Sequence, residues 1–211
     1  MTATQLSVPT ARKPWQERRT ELLDTAERLF FERGFSAVSL ADIAEAAGVT
    51  KPIAYRHFQS REGAYLACAR RAQADYVKAL QARFDPGLPV RQQLADGADL
   101  FFGLLENHPE RWELVYGSAA VLPAETRDEL ASLRLDTIRT THGFITATQP
   151  DVPELLAEAL AHSLSGAAER LGHWWKTRPD IDRGQLIDLY VELFYTGIAA
   201  YTDGASSSAH Q

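Results

Sequence analysis

Residues 18–69 read RRTELLDTAERLFFERGFSAVSLADIAEAAGVTKPIAYRHFQSREGAYLACA, and the spacing of apolar side chains within this stretch decides the fold. Leu22, Leu23, Ala26, Leu29 and Phe30 recur at three and four residues, which places them on one face of a first helix. Gly34 supplies the left-handed stop after it. Ser39 opens a second helix. Asp42, three residues on, gives the spacing of a capping-box variant, and Leu40, Ile43 and Ala47 form the buried stripe before Gly48 breaks the pattern. After a short turn Thr50 caps a third helix, whose first turn accepts Pro52 because amides there have no intrahelical partner to lose. Ser60 caps a fourth.

A short helix, a tight Gly turn and a second short helix opening with polar and basic residues have the layout of a helix-turn-helix, here residues 39–58. Ala54 and Phe58, four apart and apolar, are expected to pack inward. Pro52, Ile53 and Arg56 then point outward, flanked by Lys51, Tyr55 and His57. A guanidinium matches the paired acceptors of a guanine edge, so Arg56 is the expected base reader, with Ile53 or Pro52 touching a thymine methyl. Lys51, Tyr55, His57 and Arg61 are expected at phosphates, and Ser39 and Thr50, which begin the two helices, are counted with them. Tyr55 equally suits packing, and His57 equally suits bracing the helix. Arg12 and Lys13 either reach a minor groove or lie in a solvated tail.

This stretch resembles the TetR family of transcriptional regulators. The resemblance rests on a first helix ending Phe-x-x-x-Gly-Phe, the SLADIAEAAGV helix and turn, the Tyr-x-His-Phe recognition helix and the Ser-Arg-Glu that follows. Ala54 and Ala64 stand where the family usually has leucine, with Ile53 or Tyr65 expected to compensate. The resemblance implies a flexible tail at 1–14, a three-helix DNA-binding domain at 15–71, a helical effector-binding and dimerisation domain at 72–204, and a flexible end at 205–211. It also implies that a homodimer binds a pseudo-palindromic double-stranded DNA operator and is released by a small-molecule effector. Repression is the commonest mode in the family.

Charge is divided as that division of labour requires. The 211-residue chain has a net charge of -6, yet residues 1–71 carry 11 Lys and Arg against 8 Asp and Glu, while the remainder carries 11 against 20. A mildly basic front meets phosphates while an acidic back repels them. With 45% hydrophobic and 24% charged residues the chain is rich enough to bury a core. A single cysteine, Cys68, excludes an internal disulfide framework and a cysteine-rich metal site. Residues 1–14 lack the apolar stretch of a secretory signal, and charges interrupt every apolar run before the roughly 18 residues a membrane span needs. The expectation is a cytoplasmic protein with no membrane partner.

Beyond residue 71 the periodicity stays helical, so the chain reads as all-α. Joints are expected at DPGLP (85–89), HP (108–109), LP (122–123), QPDVP (149–153) and RPDID (178–182), giving about six helices after the third. In the middle helices, aromatic residues interrupted by polar ones suit a mostly apolar ligand site. Phe101, Phe102, Leu105, Trp112 and Tyr116 are its expected lining, together with Phe144 and Ile145, and His142 is its polar handle. The effector is expected to be hydrophobic.

The last two helices carry wide apolar faces. Leu160, Leu164, Ala167, Leu171, Trp174 and Trp175 lie on one. Tyr190, Leu193, Phe194, Gly197 and Tyr201 lie on the other. Paired with a two-fold copy they make a four-helix dimer interface. Two other classes compete with a DNA-binding regulator. An enzyme would need a clustered site, but His57, His108, His142, His162 and His173 are scattered, no metal spacing or Gly-rich phosphate loop is present, and Cys68 between Ala67 and Ala69 suits packing. No catalytic residue, metal or cofactor is therefore expected. A helical adaptor that binds protein through the C-terminal face predicts no salt-dependent DNA affinity.

Overall fold

The computed structural model describes residues 14–208, with side-chain surroundings through Thr196. The expectations for Arg12 and Lys13, and for the side chains of Gly197 and Tyr201, lie outside the described residues. Among the described residues there are nine α-helices and no strand. They are α1 (Trp15–Arg33), α2 (Leu40–Ala46), α3 (Lys51–Phe58), α4 (Arg61–Arg83), α5 (Val90–Asn107), α6 (Pro109–Tyr116), α7 (Ala124–Thr148), α8 (Glu154–Trp175) and α9 (Arg183–Ser208). Each proline joint falls between two helices. α9 continues into the segment expected as a flexible end, its helical ladder reaching Ser208.

Local chemistry sets the helix starts. The Ser39 amide donates to Asp42 Oδ2 at 2.8 Å and the Asp42 amide donates to Ser39 Oγ at 3.2 Å, closing the capping box. These Ser39 donors hold the Asp42 carboxyl below the usual carboxylate range. Gly63 donates to Ser60 Oγ at 2.9 Å at the start of α4, and Gln185 donates to Asp182 Oδ1 at 2.8 Å at the start of α9. Gly34 ends α1 at φ 77° and Gly48 turns between α2 and α3 at φ 63°.

The first three helices and the start of α4 close on a filled core of Leu22, Ala26, Ile43, Ala54 and Ala64, all essentially without exposure. Tyr65, next to Ala64 in the chain, belongs to the same buried cluster. Its ring meets Phe30 and Phe35 edge-on at 5.2 and 5.4 Å. The turn between α3 and α4 is tight: Gln59 adopts φ 66°, and a Cβ on Gly63 would fall 2.2 Å from the Phe58 carbonyl oxygen.

α4 is about 35 Å long at 1.5 Å per residue and runs unbroken from this small core into the second half. There α5 packs on α9, and α7 packs on α4 and α8. Buried Glu27 of α1 joins the halves: Arg71 of α4 approaches it at 2.6 Å and Arg111 of α6 at 3.4 Å. Arg71 also pairs with Asp24 at 2.8 Å, and Arg111 with Asp75 at 3.3 Å. The Tyr65 hydroxyl donates across the same junction to the Leu114 carbonyl at 3.2 Å. No helix among the described residues is long and apolar enough to cross a membrane.

Candidate nucleic-acid interface and effector cavity

α3 buries Ala54 and Phe58 and leaves Lys51, Pro52, Tyr55 and Arg56 exposed. Among the described residues neither Lys51 nor Arg56 has a hydrogen bond or ion pair, whereas Arg61, Arg71, Arg111 and Arg134 are all engaged by acidic partners. Unpaired cations on a protruding helix keep their full charge for an outside anion. Thr50 precedes the helix without making a side-chain capping bond, so its hydroxyl is uncommitted there. The Ser39 hydroxyl, in contrast, is spent on Asp42.

Three expectations for this face change. Ile53 is half-buried against the core instead of pointing outward, because it sits one residue from the inward-facing Ala54. His57 is buried, stacked on Trp15 with ring centroids 3.6 Å apart, so it braces α3 against α1. Arg61 lies over Phe35, pairs with Glu62 at 3.1 Å and donates to the Ser36 carbonyl, which ties α4 to the turn after α1. Sequence reasoning missed Arg18 and Arg19. Arg19 donates to the His57 carbonyl at 3.1 Å, satisfying a carbonyl at the end of α3. Burial pushes the His57 pKa down, and the charges of Arg19, Arg18 and Arg56 push it further, so positive charge converges on the end of α3. The Arg18-Arg19 pair at the start of a helix preceding the motif was the available signal.

The second site is a cavity of about 1050 Å³ walled by α4 to α9. Of the residues expected there, Phe101, Tyr116, Phe144 and Ile145 line it. Phe102, Leu105, Trp112 and His142 do not. Phe102 turns into the core between Trp175 and Tyr190, at 6.1 and 6.0 Å, and Leu105 is buried nearby. Trp112 has no exposure and lies so close to α8 that a Cβ on Gly172 would sit 3.0 Å from its ring. His142 faces Glu154 instead, with Nε2 3.2 Å from Oε1. The missed wall includes Tyr76 and Leu80 of α4, Phe84 just after it, and Arg134, Thr137 and Ile138 of α7. Phe84 stacks on Phe144 with centroids 3.9 Å apart. No local signal marks these residues, because the cavity gathers side chains from distant helices.

The residues expected at a dimer interface divide. Leu160, Leu164, Tyr190 and Phe194 line the cavity from α8 and α9, and the Tyr190 hydroxyl donates to the Leu164 carbonyl at 3.0 Å within one chain. Ala167, Leu171 and Trp175 pack half-buried on the monomer core, with Trp175 Nε1 donating to the Ile181 carbonyl at 2.7 Å. Most of these residues of α8 and α9 thus also have contacts within their own chain. Trp174 remains outward, joined by Leu189 and by Leu155, which is 78% exposed, while Leu193 is 65% exposed and also lines the cavity. Cys68 is fully buried, and burial pushes its thiol pKa up, which suits packing and not nucleophilic chemistry.

Comparison with known proteins agrees with this geometry. Residues 22–68 match the family model described as bacterial regulatory proteins, tetR family. The transcriptional activator FasR of Mycolicibacterium smegmatis is 33% identical over 105 residues, which cover 50% of this chain and 48% of FasR. The chain thus spans about half the length of that relative. The transcriptional repressor KstR2 of Rhodococcus jostii is 56% identical over 45 residues, covering 21% of this chain and 22% of KstR2. A solved TetR-like transcriptional regulator from Rhodococcus sp. RHA1 is 28% identical with a TM-score of 0.70, covering 89% of this chain and 99% of its own. Residues 22–68 thus carry the helix-turn-helix of the tetR family of bacterial regulatory proteins, on a helical architecture similar to that of a solved TetR-like regulator along nearly its whole length.

Proposed function

We propose that this chain is a ligand-responsive DNA-binding transcriptional regulator acting in the cytoplasm. Its homodimer binds a pseudo-palindromic operator, represses transcription, and is released when a small, largely hydrophobic effector enters the cavity. The observation that carries this reading is the exposed face of α3, where Lys51 and Arg56 lack partners among the described residues. Arg56 reads a guanine edge; Lys51, Tyr55 and Thr50 hold phosphates. Leu155, Trp174, Leu189 and Leu193 form the outward face of α8 and α9 through which the second copy docks.

Release follows from geometry. Two recognition helices must sit about 34–36 Å apart to enter successive major grooves. Tyr116 lines the cavity on α6, and α6 touches α1 and α4 through Leu114 and Arg111. A ligand that prefers one placement of α6 biases the spacing of the recognition helices by its differential affinity, typically about 1–3 kcal/mol. Selection of bound sequences from a random duplex pool at two salt concentrations, alongside the solution mass, tests the reading. Enrichment of a pseudo-palindrome by a dimer, with affinity falling as salt rises, is expected. A well-folded protein that enriches no site and binds DNA independently of salt would leave the adaptor as the better reading. FasR is named an activator and KstR2 a repressor, so the sign of regulation is tested by a reporter placed behind the selected operator. Reporter output is expected to rise when this protein is absent.

A further inference from the structure

Three helices each bring a tyrosine to the cavity wall: Tyr76 from α4, Tyr116 from α6 and Tyr190 from α9. Two of them are partnered. The Tyr190 hydroxyl donates to the Leu164 carbonyl at 3.0 Å. The Tyr116 hydroxyl lies 3.5 Å from Thr137 Oγ1, which accepts from Gln73 Nε2 at 2.5 Å. The Tyr76 hydroxyl has no hydrogen-bond partner among the described residues, although the residue is only 7% exposed and its ring is held edge-on to Phe101 at 5.9 Å. Unlike the fully enclosed and unpartnered Gln73 Oε1 and Trp112 Nε1, this hydroxyl keeps access to solvent on the cavity wall, where an entering ligand can meet it. Burial also pushes its pKa well above the usual tyrosine value, so the group remains an O–H donor.

The charges of the wall bear on what that donor meets. Arg134 donates through Nε to the Val115 carbonyl at 2.8 Å and lies 3.5 Å from Glu169, so its charge is already answered. Asp151 adds a negative charge without a partner among the described residues. Arg134 is the one permanent cation on the wall among the described residues and is already paired, and His162 carries no fixed charge, so an anionic head group entering here would be stripped of water without a free permanent cation to receive it. Length is also constrained: the lining residues of α5 run from Val90 to Phe101, about 16 Å of helix.

We propose that Tyr76 is the polar reader of this cavity, and that the effector is an elongated, uncharged, mainly apolar molecule whose carbonyl, ether or hydroxyl oxygen accepts the Tyr76 O–H. Tyr116 and Thr137 offer the neighbouring contact. The inference rests on the reading of the cavity as the effector site. Displacement of the apolar dye N-phenyl-1-naphthylamine tests it, using decane, 2-decanone, decanoate and decyltrimethylammonium as competitors on the full chain. 2-Decanone is expected to compete better than either ion. Tyr76→Phe is expected to weaken 2-decanone roughly 3- to 10-fold while leaving decane unchanged. A thermal midpoint close to that of the unsubstituted protein shows that the variant is folded.

Stronger competition by decanoate or decyltrimethylammonium overturns the proposal, as does an unchanged 2-decanone affinity in a folded Tyr76→Phe variant. If neither the dye nor any competitor binds the folded protein, the cavity reading falls and takes the proposal with it. If 2-decanone binds through Tyr76 yet leaves affinity for the selected operator unchanged, the ligand class stands and the effector role falls.

Discussion

Residues 15–71 and the helices from α5 onward are both amphipathic and both bury aromatic rings, but they pack to different ends. Leu22, Ala26, Ile43, Ala54 and Ala64 are buried without exposure, while Tyr76, Phe101, Tyr116 and Phe144 face a space of about 1050 Å³. A filled core admits one arrangement, because native-density packing resists even a methylene of change. A walled space tolerates several arrangements of its walls. On the proposed function, presenting side chains to a DNA groove requires the first; being biased by a small molecule requires the second. α4 belongs to both, and the Glu27 cluster with Arg71 and Arg111 makes the junction polar and directional instead of a slippery apolar contact.

The largest expected effect sharpens the border between filled and hollow parts. Trp112→Ala removes a side chain with no exposure, so it should cost about 3–5 kcal/mol in denaturant unfolding. A variant of unchanged stability that had lost only ligand binding would return Trp112 to the cavity wall. Next comes Gly63→Ala, whose Cβ would meet the Phe58 carbonyl oxygen at 2.2 Å. A cost of about 1–3 kcal/mol is expected, with DNA affinity lost and dye binding retained. Loss of both together would show the two halves to be less separable than their packing suggests.

Substitutions on the exposed face of α3 should leave folding intact. Arg56→Ala is expected to cost about 1–3 kcal/mol of operator affinity and relax preference at one base pair, whereas Lys51→Ala weakens all sequences alike and flattens the salt slope by about one unit. Equal losses on operator and random DNA for Arg56→Ala would reassign it to a phosphate. The smallest effect is on pH dependence. The His57 pKa in the folded protein lies below its ordinary value of 6.5, so the unfolded chain takes up the proton first as pH falls. The contribution of neutral His57 is thus fully present above about pH 6.5 and declines below it. Thermal midpoints measured from pH 7.5 to 5.5 should fall less in His57→Gln than in the unsubstituted protein.

The helix-turn-helix half was legible to a useful depth. Capping at Ser39 and Ser60, the stops at Gly34 and Gly48, and the inward Ala54 and Phe58 are all local consequences of residue type and spacing. His57 and Ile53 were misplaced because their burial depends on α1 and on the neighbouring core, which a single-helix pattern does not contain. The cavity was half legible. Aromatic residues on α5, α6 and α7 marked the region, but adjacent Phe101 and Phe102 point about 100° apart on a helix, one to the wall and one to the core.

Helix count and most helix boundaries were determined by the sequence alone, since caps, prolines and a 3.6-residue period act within one turn of their own position, although α9 runs on to Ser208. Only the tertiary structure decided which neighbour each apolar face meets. Leu164 and Tyr190, on faces broad enough for a partner chain, instead bond to each other and wall the cavity, while Leu155 and Leu189 are left outward. Periodicity measures how apolar a face is and in which direction it points around its own axis. What stands opposite is set by the packing of several helices at once, and that information is absent from any single stretch of chain.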